Sequence, residues 1–96
     1  VGMAIDSKLL SKAYRSPQSL SFEEALKLAR ELLFVEVGGR GSHRVFRHPK
    51  ADRIRSKFPH PLNLQRGSDG KSAKAYQVRQ MLKIAKALGV ITSTAK

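Results

Sequence analysis

The chain has 96 residues, no cysteine, and 19 Lys+Arg against 7 Asp+Glu, for a net charge of +12. This length suits one compact domain with a modest core and leaves no room for a large internal cofactor cavity. The lack of cysteine excludes disulfides, thiolate catalysis and cysteine-type zinc sites, and it fits a reducing, cytoplasmic setting.

No apolar run approaches the roughly 20 residues that cross a bilayer, so no membrane partner is expected. Ile5-Asp6-Ser7-Lys8 interrupts any apolar core of a secretion signal. Val1-Gly2 ahead of Met3 reads as a cloning remnant outside the fold. The charge is unevenly placed. Residues 1–39 hold five basic and five acidic side chains, whereas residues 40–96 hold fourteen basic ones and only Asp52 and Asp69. Self-repulsion of this size costs stability, so a polyanionic partner is the economical explanation. Nucleic acid ranks first, through counterion release at its phosphates. An acidic protein ranks second. An anionic membrane ranks third, because the chain has no Trp and no lipidation motif.

In chain order, residues 5–15 predict a short helix, capped by Asp6 or Ser7, with Ile5, Leu9, Leu10 and Ala13 as a partial apolar stripe. Ser16-Pro17 ends it. Ser21-Phe22-Glu23-Glu24 is a capping box, and Phe22, Ala25, Leu26, Ala29 and Leu33 follow helical spacing. Phe34 to Val37 is short and β-prone. Gly38-Gly39-Arg40-Gly41-Ser42 then reads as a hairpin loop, with His43 to His48 as the returning strand. Val45 and Phe46 are adjacent and only one can face the core. His43 shares a face with Val45 and Arg47; Arg44 and His48 share the other with Phe46. A long basic connection runs from Pro49 to Pro61. Leu62-Asn63-Leu64-Gln65 alternates as a third strand, with Arg53 to Phe58 a weaker competitor. Gly67-Ser68-Asp69-Gly70 breaks the chain.

The last element is a helix over residues 75–88, with Val78, Met81, Leu82, Ala85 and Leu88 as its buried stripe. Arg79, Lys83 and Lys86 align along another face, and Gly89 suits the position just past the end. The sum is an α+β fold of order α-β-β-β-α: three antiparallel strands with helices on one face, of double-stranded-RNA-binding shape, preceded by an extra helical arm. The arm takes residues 1–20, the RNA-binding domain 21–90 and a tail 91–96.

The histidines, His43, His48 and His60, are the first candidates for acid–base work near neutral pH. No Ser/His/Asp triad can be assembled. The histidine spacings match no zinc motif, and two-metal nuclease chemistry needs more carboxylates than the basic half holds, so neither metal nor cofactor is expected. Phosphodiester cleavage without metal is accessible on RNA, whose ribose 2′-hydroxyl is its own nucleophile. A base takes its proton, the oxygen attacks the adjacent phosphorus, and cations stabilise the added charge. His48 before Pro49 and His60 between two prolines read as turn and loop residues, although His48 could supply a second proton-transfer group.

Taken together and in order, "GRGSHRVFRHP", "LNLQ" and "GKSAKAYQVRQMLK" resemble the HicA-type toxins of bacterial toxin–antitoxin pairs. The closer likeness is to the subfamily with a longer N-terminal arm, here "SKAYRSPQSLSFEEALKLA". The resemblance spans about Ser11 to Leu88. It implies a double-stranded-RNA-binding-like fold, mRNA cleavage that halts translation, and neutralisation by a HicB-type antitoxin. It further implies a catalytic histidine at His43 and contacts to the RNA backbone or bases from Lys71, Lys74, Tyr76, Gln77 and Arg79. Around the hairpin, Arg40, Gly41, Ser42, Arg44 and Arg47 complete the expected RNA surface. Many relatives carry a second histidine where this chain has Arg44, the connection from Lys50 to Pro59 is longer, and Ser72 looks inserted. A non-catalytic RNA-binding module and a basic protein that docks an acidic partner are the competing readings.

Overall fold

The computed structural model of the chain describes residues 6–50 and 61–91. Helix α1 spans Ser7–Arg15. Asp6 caps it, its carboxylate accepting from the amides of Lys8 and Leu9. Its end at Ser16 is followed by a single 3-10 turn, Pro17–Ser19, where proline can no longer supply a helical donor. Helix α2 spans Phe22–Glu31 and has both halves of its capping box. The Glu24 amide donates to Ser21 Oγ, and Glu24 Oε1 accepts from the Ser21 amide, each at 3.0 Å. Helix α3 spans Ala75–Ala87.

Helices α2 and α3 stop in the same way. The Phe34 amide reaches back to the Ala29 carbonyl and the Val90 amide to that of Ala85, each across a residue with positive φ. In α3 that residue is Gly89. In α2 it is Leu33, at φ 74, where an L side chain is strained.

Strands β1 (Val35–Arg40), β2 (His43–Arg47) and β3 (Leu62–Gln65) form one antiparallel sheet in the order β1-β2-β3. The architecture is thus the α+β, α-β-β-β-α arrangement expected, with a helix ahead of it. The core resolves which face is which. Phe46, Leu62 and Leu64 are buried and join Phe22, Leu28, Val78, Met81 and Ile84 in one apolar cluster, which also takes Leu9 and Ala13 of α1 and Leu20. Burying such a side chain is worth about 1.5–3 kcal/mol each. The helices therefore cover one face of the sheet, and among the described residues nothing packs on the other. Because Phe46 points inward, Val45, Arg47 and His43 point outward.

The hairpin differs from the expected five-residue loop. Gly38, Gly39 and Arg40 are strand residues, and the turn is Gly41-Ser42 alone. Arg40 pairs with His43 and Gly39 with Arg44, after a bulge between Glu36 and Gly38. Gly41, at φ 58, makes the two-residue turn. Gly39 serves close packing instead: at φ 82, a Cβ there would collide with the His43 carbonyl and stand 2.9 Å from Arg44 Cα. The alternative strand over Arg53 to Phe58 lies outside the described residues.

Candidate nucleic-acid interface

The tight Gly41-Ser42 turn places His43 at the first position of β2, exposed, on the open face of the sheet. Opposite Val45 on β3 stands Asn63, between two buried leucines, so its side chain also faces outward. His43 Nε2 lies 3.0 Å from Asn63 Oδ1. The amide oxygen is an acceptor, so the ring donates from Nε2 and keeps its lone pair on Nδ1, which has no protein partner among the described residues. This sets the tautomer and fixes the ring orientation, with an amide in place of the carboxylate of a Ser/His/Asp triad.

Arg40 stands across the hairpin from the ring, and the start of α3 is tied to the strand on its other side. Arg40 is the cross-strand partner of His43 on β1, exposed and without an ion-pair partner among the described residues. On the other side His43 pairs with Gln65, the last residue of β3. The Gln65 carbonyl accepts from the Lys74 amide at 3.1 Å, where α3 begins. Gln77, on the first turn of α3, locks this junction. Its Oε1 accepts from the Gln65 amide and its Nε2 donates to Gln65 Oε1, both at 2.8 Å. The start of α3 is thereby held beside the hairpin tip. Its N-cap is Lys74, with no side-chain cap and no acid in the first turn. A cation at the positive end of a helix is electrostatically unfavourable, and free amides there favour an anion. Tyr76, 60% exposed, presents a ring on the same turn.

The loop before α3 is held by Asp69, whose carboxylate accepts from the amides of Lys71 and Ser72 and from Ser72 Oγ. Those bonds, the Ser72 amide foremost, lower its pKa to about 2. Lys71 is left exposed at the loop's end.

Other expected residues go elsewhere. Arg44 is on the core side of the sheet. Its guanidinium binds Glu36 at 2.9 Å and the Gly41 carbonyl at 3.0 Å, so it braces the hairpin and faces away from His43. Gln77, expected at the RNA surface, is 3% exposed, with both ends of its amide in use. Arg47 stays on the His43 face. Arg79 is exposed on α3 and lines a groove with α1. His60 lies outside the described residues.

His48, held in reserve as a second proton-transfer group, is 3% exposed. Its Nε2 donates to the Leu32 carbonyl at 2.8 Å, its Nδ1 accepts from the Lys50 amide at 3.2 Å, and Phe34 packs edge-on at 4.9 Å. Burial, more than anything else, lowers its pKa. Both nitrogens are engaged in holding the fold, and neither is free for a substrate.

Sequence reasoning did not single out Asn63. The signal was present, since a polar residue between Leu62 and Leu64 must face away from them, but its meeting with His43 needs the strand register. Arg66 was also missed. It lies 4.6 Å over the Phe22 ring and binds Glu23 at 2.8 Å, joining β3 to α2. No group of three His, Cys, Asp or Glu side chains suited to a metal occurs among the described residues. No helix among them is long and apolar enough to cross a membrane. No protein-family model matches the chain, and neither does a curated protein or a solved structure.

Proposed function

We propose that the chain is an RNA-cleaving toxin of the HicA type, working without a metal and with His43 as its acid–base group. One observation supports this above the rest. An exposed imidazole, with its tautomer set by Asn63 and Nδ1 open, has Arg40 as its cross-strand partner, and its other strand neighbour, Gln65, is tied to the uncapped, lysine-led start of α3. Nδ1 takes the proton of a ribose 2′-hydroxyl, or in its protonated form returns one to the leaving oxygen. Arg40, Lys74 and the α3 amides stabilise charge on the phosphoryl oxygens. Lys71 and Arg47 add potential, and Tyr76 offers a stacking plane for a base. DNA lacks the hydroxyl and is not a substrate. The toxin reading also implies a HicB-type antitoxin that masks His43 or the basic helix.

The burial of His48 favours one competing reading, an RNA-binding module that does not cleave. Among the described residues a single accessible histidine would have to both take and give the proton. The experiment that separates the two measures RNA degradation in excess chelator, by the wild type and by His43→Ala. Cleavage by the wild type that is lost in the variant supports the ribonuclease. Salt-sensitive binding with intact RNA throughout supports the module. Equal cleavage by both proteins, or loss of wild-type activity on chelation, removes the proposal.

A further inference from the structure

The helical layer, behind the sheet from His43, holds a groove of about 510 Å³ between α1, the 3-10 turn and α3. Its floor is apolar, from Ala13, Pro17 and Leu82, and Arg15, Arg79, Lys83 and Lys86 stand along its rim. No acidic side chain lines it, and none of these four cations has an ion-pair partner among the described residues. Four like charges around one groove repel one another, which is tolerable when an anion joins them. A second observation is independent of charge. Tyr14 lines the same groove, and its hydroxyl is shut off from water with no hydrogen-bond partner. Desolvation raises its pKa, so the oxygen keeps its proton and remains a donor without an acceptor.

We infer that this groove docks an acidic amphipathic peptide segment of a protein partner. Apolar side chains of the segment fill the floor and its carboxylates pair with the rim cations. Single-stranded RNA fits less well, because its bases seek open aromatic planes and this floor is aliphatic, with the tyrosine oxygen turned under. The site lies across the sheet from His43, so a partner anchored here grips the molecule without entering the proposed cleavage site. The inference does not depend on RNA cleavage.

The test uses a roughly three-turn synthetic peptide with Leu at helical spacing and Glu elsewhere, and an isomer of identical composition with that spacing scrambled. Binding is read by fluorescence anisotropy and by amide shifts in NMR spectra of the whole chain, with a short oligoribonucleotide as the third ligand. The amphipathic peptide should shift Ala13, Leu82, Lys83 and Lys86 and bind at least about tenfold more tightly than its isomer. The double variant Lys83→Glu, Lys86→Glu should weaken it by about tenfold or more. Tyr14→Phe removes a buried unpaired hydroxyl, so it should leave the melting temperature unchanged or higher and peptide binding unchanged. Equal binding of the two isomers would overturn the inference, as would the oligoribonucleotide shifting these amides where the peptide does not. RNA cleavage by the Lys83→Glu, Lys86→Glu protein, measured alongside, reports on the His43 proposal separately.

Discussion

Replacing His48 and His43 in turn should separate a structural histidine from a functional one. His48→Ala leaves the buried Leu32 carbonyl without its 2.8 Å donor. An orphaned buried acceptor costs about 1–3 kcal/mol. The edge-on contact with Phe34, at 4.9 Å between centroids, is lost as well, for about 0.5–1.5 kcal/mol. The total is about 1.5–4.5 kcal/mol, a large part of the roughly 5–15 kcal/mol that holds a domain together. In a chain of 96 residues that lowers the melting temperature by on the order of 6–36 °C. His43→Ala loses one exposed hydrogen bond and should stay within about 0.5 kcal/mol of wild type, while cleavage falls by about 10²–10⁴.

The pH dependence carries the same distinction. The unfolded chain protonates its histidines near pH 6.5, and buried His48 does so only at lower pH, because its pKa is depressed. Between those values the unfolded state binds more protons, so stability rises with pH through this window and falls as the solution is acidified below about 6.5. A cation at His48 would also have to place an Nδ1–H against the Lys50 amide. His48→Phe keeps a ring beside Phe34 and should flatten that acid limb. The assay is thermal denaturation from pH 5 to pH 8 for the wild type and all three variants. The reasoning fails if His48→Ala melts with the wild type, or if His48→Phe retains the full acid-side loss. It fails equally if His43→Ala unfolds as readily as His48→Ala.

Gly39→Ala forces a methyl against the His43 carbonyl and strains a residue at φ 82. It should cost more than about 2 kcal/mol and remove the β1–β2 cross-strand contacts from NMR spectra. Leu33→Gly relieves a side chain at φ 74; about 1–2 kcal/mol of strain less about 0.5–1 kcal/mol of chain entropy leaves a small net gain, visible in denaturant titration. Lys74→Ser supplies the missing cap of α3 and should stabilise it by about 1 kcal/mol. It should also weaken RNA binding and lower the salt slope by about 0.7, a trade read from melting and binding on one sample. Asn63→Ala frees the His43 ring and should slow cleavage about tenfold with little change in stability, and Asn63→Gln should recover less than wild-type rate because its longer chain moves the acceptor.

The helices were legible because local chemistry decides them. Ser21 and Glu24 cap α2 through bonds that lie within four residues, and the stripe from Val78 to Leu88 on α3 follows directly from a period of 3.6. The hairpin was legible in kind but not in detail. Three glycines within four residues read as loop, whereas Gly38 and Gly39 belong to the strand, and Gly39 is needed for approach to the facing backbone. Facing was the harder question. Val45 and Phe46 are both apolar, and only the packed core decides that Phe46 goes in. Once that is settled, His43 moves to the open face, while Arg44 and His48 move inside. Gln77 was misread for the same reason: a polar residue beside Tyr76 and Lys74 suggests a surface, and its burial depends on Gln65, twelve residues back on strand β3.

The distribution of carboxylates shows why the neutral half and the basic half belong to one design. Each acidic residue in the described chain has a structural task. Asp6 caps α1 and binds Lys27, and Glu31 accepts from the Asp6 amide. Glu24 closes the capping box and binds Lys12. Glu23 holds Arg66, Glu36 holds both Arg30 and Arg44, and Asp69 shapes the loop before α3. The cations they meet are those that tie elements together. Arg40, Lys74, Arg79, Lys83 and Lys86 form no ion pair with any of them. Among the described residues the unpaired charge is therefore gathered rather than spread evenly. It remains on side chains that the fold does not use, around His43, at the head of α3 and along the groove behind it. Each of those cations could lose its charge without breaking an ion pair among the described residues, so folding does not account for their being basic, and the anionic partners proposed above would.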